Sequence, residues 1–315
     1  MSDFILSADD LHKSYGAQPA VQGISFGIQR GEVFSLLGPN GAGKTTTISM
    51  LSCLLPPTSG DATVDGHSIR REPGAVKRVI GVVPQEIALY RVLSARENLL
   101  FWGQMYGLGG AELGRRVDEV LDLVGLRDRA KDRIETYSGG MQRRINIAAG
   151  LLHRPKLLFM DEPTVGIDPQ SRRNILDMIK QLNAQGMTVL YTTHYMEEAQ
   201  ELSNRIGIID HGKLMALGTL DELTRLVGEE DVVELQVGAD GPPPELLRAL
   251  NGVKGVSQAS RENGTLRLLA RDGNAALPEL ITLANSHGTR ITNVNIREPN
   301  LEAVFLHLTG RALRD

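Results

Sequence analysis

The 315 residues contain a single cysteine, Cys53, so no internal disulfide can form and a reducing, cytosolic setting is expected. Cys53 falls on the helical pattern after residue 47, where a small buried apolar residue fits better than a reactive thiol. No run approaches ~18 consecutive apolar residues, the length a spanning helix needs. The first residues, Met1 to Leu6, are acidic and lack a signal-peptide pattern, so work at a membrane would require docking on another subunit. A basic excess is missing too. Lysine and arginine number 34 against 38 aspartates and glutamates, a net charge of −4, which argues against wrapping nucleic acid in a basic field. There is no Asn-Lys-x-Asp segment to read guanine, no sustained heptad repeat, and no second cysteine for a zinc insertion. What remains is an ordinary soluble composition, 41% hydrophobic and 23% charged, in a chain long enough for two domains.

The most informative stretch is Gly38-Pro39-Asn40-Gly41-Ala42-Gly43-Lys44-Thr45-Thr46, between the apolar run from Val33 to Leu37 and a helical pattern from Thr47 to Leu55. A strand, a glycine-rich turn and a helix in that order make a phosphate-binding loop. The glycines let successive N–H groups turn inward, the helix points its positive end at the anion, and Lys44 adds a mobile charge. Thr45 takes the position of the hydroxyl that holds Mg²⁺ against the β- and γ-phosphates.

Strands are expected at Phe4 to Ala8, Val21 to Ile28 and Val33 to Leu37, with Lys13 to Gly16 in a loop, then at Asp61 to Asp65 and Val79 to Val83, the last ending at Pro84-Gln85. From about Ser94 to Gly125 the period lengthens to that of helices, which predicts a helical insertion between parallel strands. Strands return at Leu157 to Met160, Thr188 to Thr192 and Arg205 to Ile209, with helices over Gln170 to Gln185 and Tyr195 to Leu202. This alternation builds a mostly parallel α/β sheet. Residues 1–227 therefore read as one nucleotide-binding domain, its helical part about 86–153. Residues 228–315 read as a smaller α+β domain. Its strands at Asp231 to Val237, Val253 to Ala259, Leu266 to Ala270 and Ile291 to Ile296 alternate with helices from Pro242, Asn274 and Leu301, and Asn263-Gly264 forms a hairpin turn. The order β-α-β-β-α-β is ferredoxin-like. It carries no catalytic constellation and suits a regulatory or dimer-supporting module.

Two further stretches carry chemistry. The strand Leu157 to Met160 runs into Asp161-Glu162, which places one carboxylate to hold Mg²⁺ through water and the next to polarise the attacking water. Ser138-Gly139-Gly140-Met141-Gln142 opens the helix from Ile145 to His153, a second helix N-terminus offered to an anion. One nucleotide does not need two such ends, so each copy is expected to offer this one to its partner's nucleotide.

These residues resemble the ATP-binding subunits of ABC transporters over about residues 3–227. The matching segments are the phosphate loop at 38–46, the signature from Tyr137 to Gln142, Asp161-Glu162-Pro163, the switch-loop Gln85, the D-loop Val165-Gly166-Ile167-Asp168, and His194 in Thr192-Thr193-His194. Tyr15 matches the aromatic that stacks on adenine. The resemblance implies a head-to-tail homodimer with two ATPs at its interface. Lys44 and the amides of 38–46 would hold phosphates, Thr45 and Gln85 would ligate Mg²⁺, Glu162 would be the base, and His194 would contact the γ-phosphate. Ser138, Gly139, Gly140 and Met141 of the second copy, with Asp168, would complete the site. Tyr137 and Met141 replace the commoner leucine and glutamine of the signature, and the D-loop reads Val-Gly-Ile-Asp instead of Ser-Ala-Leu-Asp. With Thr193 to Ala199 and Gly212 to Thr219, these variants are similar to the drug-resistance branch of exporters, the daunorubicin-resistance ATPases. ATP binding would close the dimer and move a separate membrane permease, whose helix would enter a groove near Leu99, Phe101, Trp102 and Tyr106 on the inner face of the cell membrane. An importer ATPase and a soluble ABC ATPase acting on ribosomes or DNA are the alternatives.

Overall fold

The computed structural model describes residues 4–228, 230–237, 243–262, 265–297 and 300–309. They form two compact units, one up to Leu220 and one from Asp221 onward.

In the first unit the elements run β1 (Phe4–Tyr15), β2 (Gln18–Gln29), β3 (Val33–Leu37), α1 (Lys44–Leu51), β4 (Ser59–Val64), β5 (His67–Ser68), α2 (Pro73–Val79), β6 (Ile80–Val83), α3 (Ala95–Met105), α4 (Gly110–Leu123), α5 (Gly139–Leu151), β7 (Leu157–Asp161), α6 (Pro169–Ala184), β8 (Thr188–Thr193), α7 (Met196–Leu202), β9 (Arg205–Asp210) and β10 (Lys213–Gly218). The helix α8 (Leu220–Thr224) follows. Six strands form one sheet in the order β10-β9-β3-β8-β7-β6, parallel except for the β9/β10 pair. Four strands form a second, antiparallel sheet in the order β2-β1-β4-β5. The central strands β3, β7 and β8 are buried at every position, as an apolar strand covered on both faces must be. One core joins the two sheets, with the Phe26 and Phe34 rings stacked at 5.1 Å. Another lies under the helical insertion, where Val117, Val120 and Leu121 are fully buried on one face of α4.

Lys13, Ser14 and Tyr15 are not in a loop. They prolong β1 by pairing with β2 across a two-residue turn at Gly16-Ala17, where Gly16 has φ +60°. Mixed polar composition hides such an edge, because the cross-strand pairing and not an apolar pattern holds it. The strand β10 and helix α2 also went unread in the sequence. β10 alternates exposed and half-buried residues, and α2 spans only seven residues with one buried side chain. Asp65 at φ +50° and Gly66 at φ +87° make the two-residue turn between β4 and β5, with Val64 paired to His67.

In the second unit β11 (Asp231–Val237), α9 (Pro244–Asn251), β12 (Val256–Glu262), β13 (Thr265–Ala270), α10 (Gly273–Ser286), β14 (Ile291–Arg297) and α11 (Leu301–Thr309) follow the β-α-β-β-α-β order, with α11 appended. The sheet order β12-β13-β11-β14, antiparallel throughout, is that of a split βαβ sandwich. Val233, Leu235, Leu266 and Leu268 bury one face against Leu246, Leu250, Leu280 and Ala284 of α9 and α10. Pro242 and the turn at Asn263-Gly264 lie outside the described residues.

Candidate active site

The register of the parallel sheet assembles the site. Leu37 of β3 lies opposite Thr193 of β8, Thr192 lies opposite Asp161 of β7, and Met160 lies opposite Val83 of β6. The segments that leave the carboxyl ends of these four neighbouring strands are therefore the phosphate loop, the His194 turn, Glu162 and the Pro84-Gln85 segment. Ligands of open α/β sheets bind at that edge.

A cleft of about 410 Å³ lies there. Asn40, Gly41, Gly43, Lys44, Thr45 and Thr46 line it from the loop, and Gln85, Glu162 and His194 line it from the neighbouring strand ends. Gly43 has φ +108°, a region that side-chain-bearing residues rarely adopt, so the loop's turn into α1 requires glycine. Ala42 is buried behind the loop, and Gly38 and Pro39 contribute carbonyls rather than cleft walls. Lys44 Nζ donates to Gly38 O at 2.6 Å and to Pro39 O at 2.9 Å, and lies 2.9 Å from Glu162 Oε1. Both ionised side chains are almost fully buried, so each needs the other in a medium that solvates charge poorly. Gln85 Nε2 reaches Glu162 Oε2 at 3.5 Å. His194 Nδ1 lies 3.4 Å from the same oxygen without the alignment of a hydrogen bond. Three expected site residues, Lys44, Gln85 and His194, thus converge on the carboxylate of a fourth.

Glu162 itself sits at φ +43°, off the regular strand, with its N–H donating to Thr192 Oγ1 at 3.0 Å. Asp161 is buried beside it and accepts from the Thr192 hydroxyl at 2.6 Å. Burial pushes the Asp161 carboxyl above the usual carboxylate range, opposed by hydrogen bonds from Thr192 and Thr45. Thr45, Gln85 and Asp161 offer a hydroxyl, an amide oxygen and a carboxylate, all hard oxygen donors of the kind Mg²⁺ prefers. Their donor chemistry fits that ion.

The remaining expected residues lie outside the cleft. Tyr15 is 55% exposed at the end of β1, with Lys13 Nζ 5.6 Å from its ring centre. Ser138 caps α5 by accepting from the Met141 N–H at 3.3 Å, with Ser138 and Gly139 exposed. Asp168 caps α6 in the same way, accepting from the Ser171 N–H at 2.9 Å, and this backbone bond holds its carboxyl below the usual range. The two caps are neighbours. A Cβ on Gly140 would stand 2.0 Å from Ser171 Oγ, so the signature helix packs on α6 at a distance only glycine permits.

Sequence reasoning missed Ala20 and read Val165 only as part of the D-loop; both are apolar residues that complete the cleft wall. It also missed Arg143. This buried guanidinium donates to Pro84 O at 2.8 Å and Gln85 O at 2.6 Å, and Asn146 one turn further accepts from the Ala88 N–H at 3.2 Å. The signature helix thereby grips the backbone that carries Gln85. Arg143 and Asn146, spaced i, i+3 where the helix turns apolar from Ile145 onward, were the available signal. Leu99 is fully buried in the insertion's core, while Tyr90, Phe101 and Trp102 form an edge-to-face cluster nearer the surface.

Residues 21–165 match the family model described as ABC transporter, and residues 218–309 match that of the C-terminal domain of DrrA1-3-like ATP-binding proteins. The chain is 50% identical, over 99% of its length and all of the relative, to the linearmycin resistance ATP-binding protein LnrL of Bacillus subtilis strain 168. It is 39% identical, over 98% of its length and 97% of the relative, to the daunorubicin resistance ATP-binding protein DrrA3 of Streptomyces coeruleorubidus. Among solved structures, a dimeric ATP-binding cassette in a post-hydrolysis state with ADP and Pi matches with a TM-score of 0.63 at 28% identity, covering 68% of this chain and 98% of that one. With the phosphate loop, the paired carboxylates and the signature helix in place, the chain belongs to the ATP-binding, ATP-hydrolysing subunits of ABC transporters, in the branch of the drug-resistance proteins.

Proposed function

We propose that the cleft takes Mg-ATP and that hydrolysis there drives export through a separate membrane permease. The observation that carries this reading is the convergence of Lys44, Gln85 and His194 on the Glu162 carboxylate beside the phosphate loop. Lys44 and the N–H groups of the cleft-lining loop residues hold the β- and γ-phosphates. A γ-phosphate competes with Glu162 for the Lys44 ammonium, and that competition releases the carboxylate to take a proton from the attacking water. Thr45, Gln85 and Asp161 are the residues that would hold Mg²⁺, directly or through water. The ion would screen the phosphate charge. His194 steadies the γ-phosphate, and the exposed Tyr15 ring stacks on the base.

The exposed signature end of α5 supports completion of each site by a second copy. Ser138, Gly139, Gly140 and Met141 of one chain then face the nucleotide of the other, with Asp168 at the same interface. The resistance functions for which the linearmycin and daunorubicin relatives are named support a hydrophobic drug or similar compound as cargo. No helix among the described residues is long and apolar enough to cross a membrane, which suits a subunit held at the inner face by its permease. The cluster of Tyr90, Phe101 and Trp102 is the proposed seat of the permease helix. Residues 1–227 serve as the nucleotide-binding domain and 228–315 as an accessory module.

The test is the mass of Glu162→Gln by light scattering, with and without Mg-ATP. A shift from monomer to dimer on adding ATP supports the shared site. A monomer at saturating ATP counts against the role given to the signature helix.

A further inference from the structure

Behind His194 lie a buried carboxylate and a half-buried arginine for which ATP binding and hydrolysis as described have no use. Glu198, in the first turn of α7, is 2% exposed. Its Oε2 accepts from the Tyr191 hydroxyl at 2.9 Å and from Thr193 Oγ1 at 2.7 Å. Thr193 Oγ1 in turn accepts from the Tyr195 N–H at 2.9 Å, so the carboxylate fixes both residues that flank His194. Its other oxygen, Oε1, is buried without a hydrogen bond and faces Arg172 Nε at 3.6 Å, which is also buried and unbonded. The Arg172 guanidinium lies over the Tyr195 ring at 4.4 Å, and that ring leans on the His194 ring at 4.1 Å. Arg172 belongs to the first turn of α6, and its N–H donates to Asp168 O at 2.9 Å.

We propose that Glu198 and Arg172 are positioning residues that tie the orientation of His194 to the start of α6, the helix capped by Asp168. Among the described residues, His194 Nδ1, Arg172 Nε and Glu198 Oε1 are all buried and lack hydrogen bonds, and all three belong to this one chain of contacts. Buried polar atoms left unbonded are expensive, and a small shift of α6 toward α7 brings the Arg172–Glu198 pair into bonding range. The same shift moves the Tyr195 ring against His194. A rearrangement at the Asp168 end of α6, which the second copy touches in the dimer, thereby reaches the group that meets the γ-phosphate. This rests on the reading of His194 given above.

The experiment uses the full chain and its steady-state ATPase activity. Glu198→Gln keeps the shape and the acceptor for Thr193 but removes the charge that Arg172 faces. It should lower kcat about ten- to a hundredfold, as misplacement of a reacting group does, while ATP affinity stays within about twofold. Arg172→Gln, at a partly exposed position that tolerates change, should show the same split, and Arg172→Lys should recover part of the rate. The double variant should lose no more than the worse single one, because the two residues act as one unit. Additive losses, or a lower melting temperature with kcat unchanged, would overturn the proposal. His194→Ala separates the two levels. If that variant turns over ATP normally, the reading of His194 fails. If it is inactive while Glu198→Gln and Arg172→Gln turn over at the wild-type rate, the tie to α6 fails alone.

Discussion

Glu162 combines two burdens, a left-handed backbone at φ +43° and a buried charge held against Lys44 at 2.9 Å. The backbone term is of order 1–3 kcal/mol for a residue with a side chain, and such strain persists where function demands a particular aim. Glu162→Ala and Glu162→Gly both delete the carboxylate, but only glycine also relieves the strain. The glycine variant should therefore melt about 2–4 °C above the alanine variant while both fail to turn over ATP, as read by calorimetry and phosphate release. Lys44→Ala should lose ATP affinity outright in a binding titration, since the loop amides remain but the mobile charge is gone. The Asp161-Glu162 pair was legible in the sequence because it ends an apolar strand in a chain that also carries a phosphate loop. The φ of Glu162 was not, because it depends on Thr192 of a strand 30 residues away accepting the Glu162 N–H.

Elements carry information between such residues, and their contacts set what can be changed. The start of α5 packs on the start of α6 so closely that an added methyl at Gly140 would stand 2.0 Å from Ser171 Oγ and 2.3 Å from its Cβ. Gly140→Ala should thus push the two helix starts apart and depress ATPase activity and ATP-driven dimerisation together. Ser171→Gly removes both obstructing atoms while leaving the N–H that Asp168 caps. The double variant should regain most of the lost activity, and failure to regain it would mean that Gly140 is needed for backbone freedom or ligand contact instead. Long periodic helices were readable nearly to their ends: α6 was expected at Gln170 to Gln185 and runs Pro169–Ala184. Short or edge elements such as α2 and β10 were not, because few of their side chains reach the core and cross-strand pairing leaves no apolar period.

Across the first unit, the mostly parallel sheet followed from ordinary rules for alternating strands and helices, and its register brought the phosphate loop, Gln85, Glu162 and His194 to one edge. The proposed completion of the site by a second chain was suggested in the sequence by the surplus helix N-terminus at Ser138 and by the family resemblance. Distant electrostatic ties were not legible at all. Asp65, at the turn between β4 and β5, accepts from Arg30 at 2.7 Å and Lys156 at 2.6 Å, residues before β3 and β7 respectively, and so joins the two sheets. Its bond to Lys156 first, then that to Arg30, holds the Asp65 carboxyl below its usual value, 3.8. A depressed folded-state value means the stabilisation is present above the unfolded value and fades as pH falls through the folded one. Asn tolerates the left-handed turn, so Asp65→Asn should melt lower than the wild type at pH 7, with the gap closing below about pH 4. Because the nucleotide edge uses the carboxyl ends of the parallel strands, the opposite edge is left for other purposes. The exposed turn at Gln185-Gly186, which feeds the amino end of β8, lies at that far edge. With the lone Cys53 replaced, a cysteine at Gln185 gives a single attachment point for a fluorophore, through which approach of two copies can be watched in real time without touching the chemistry.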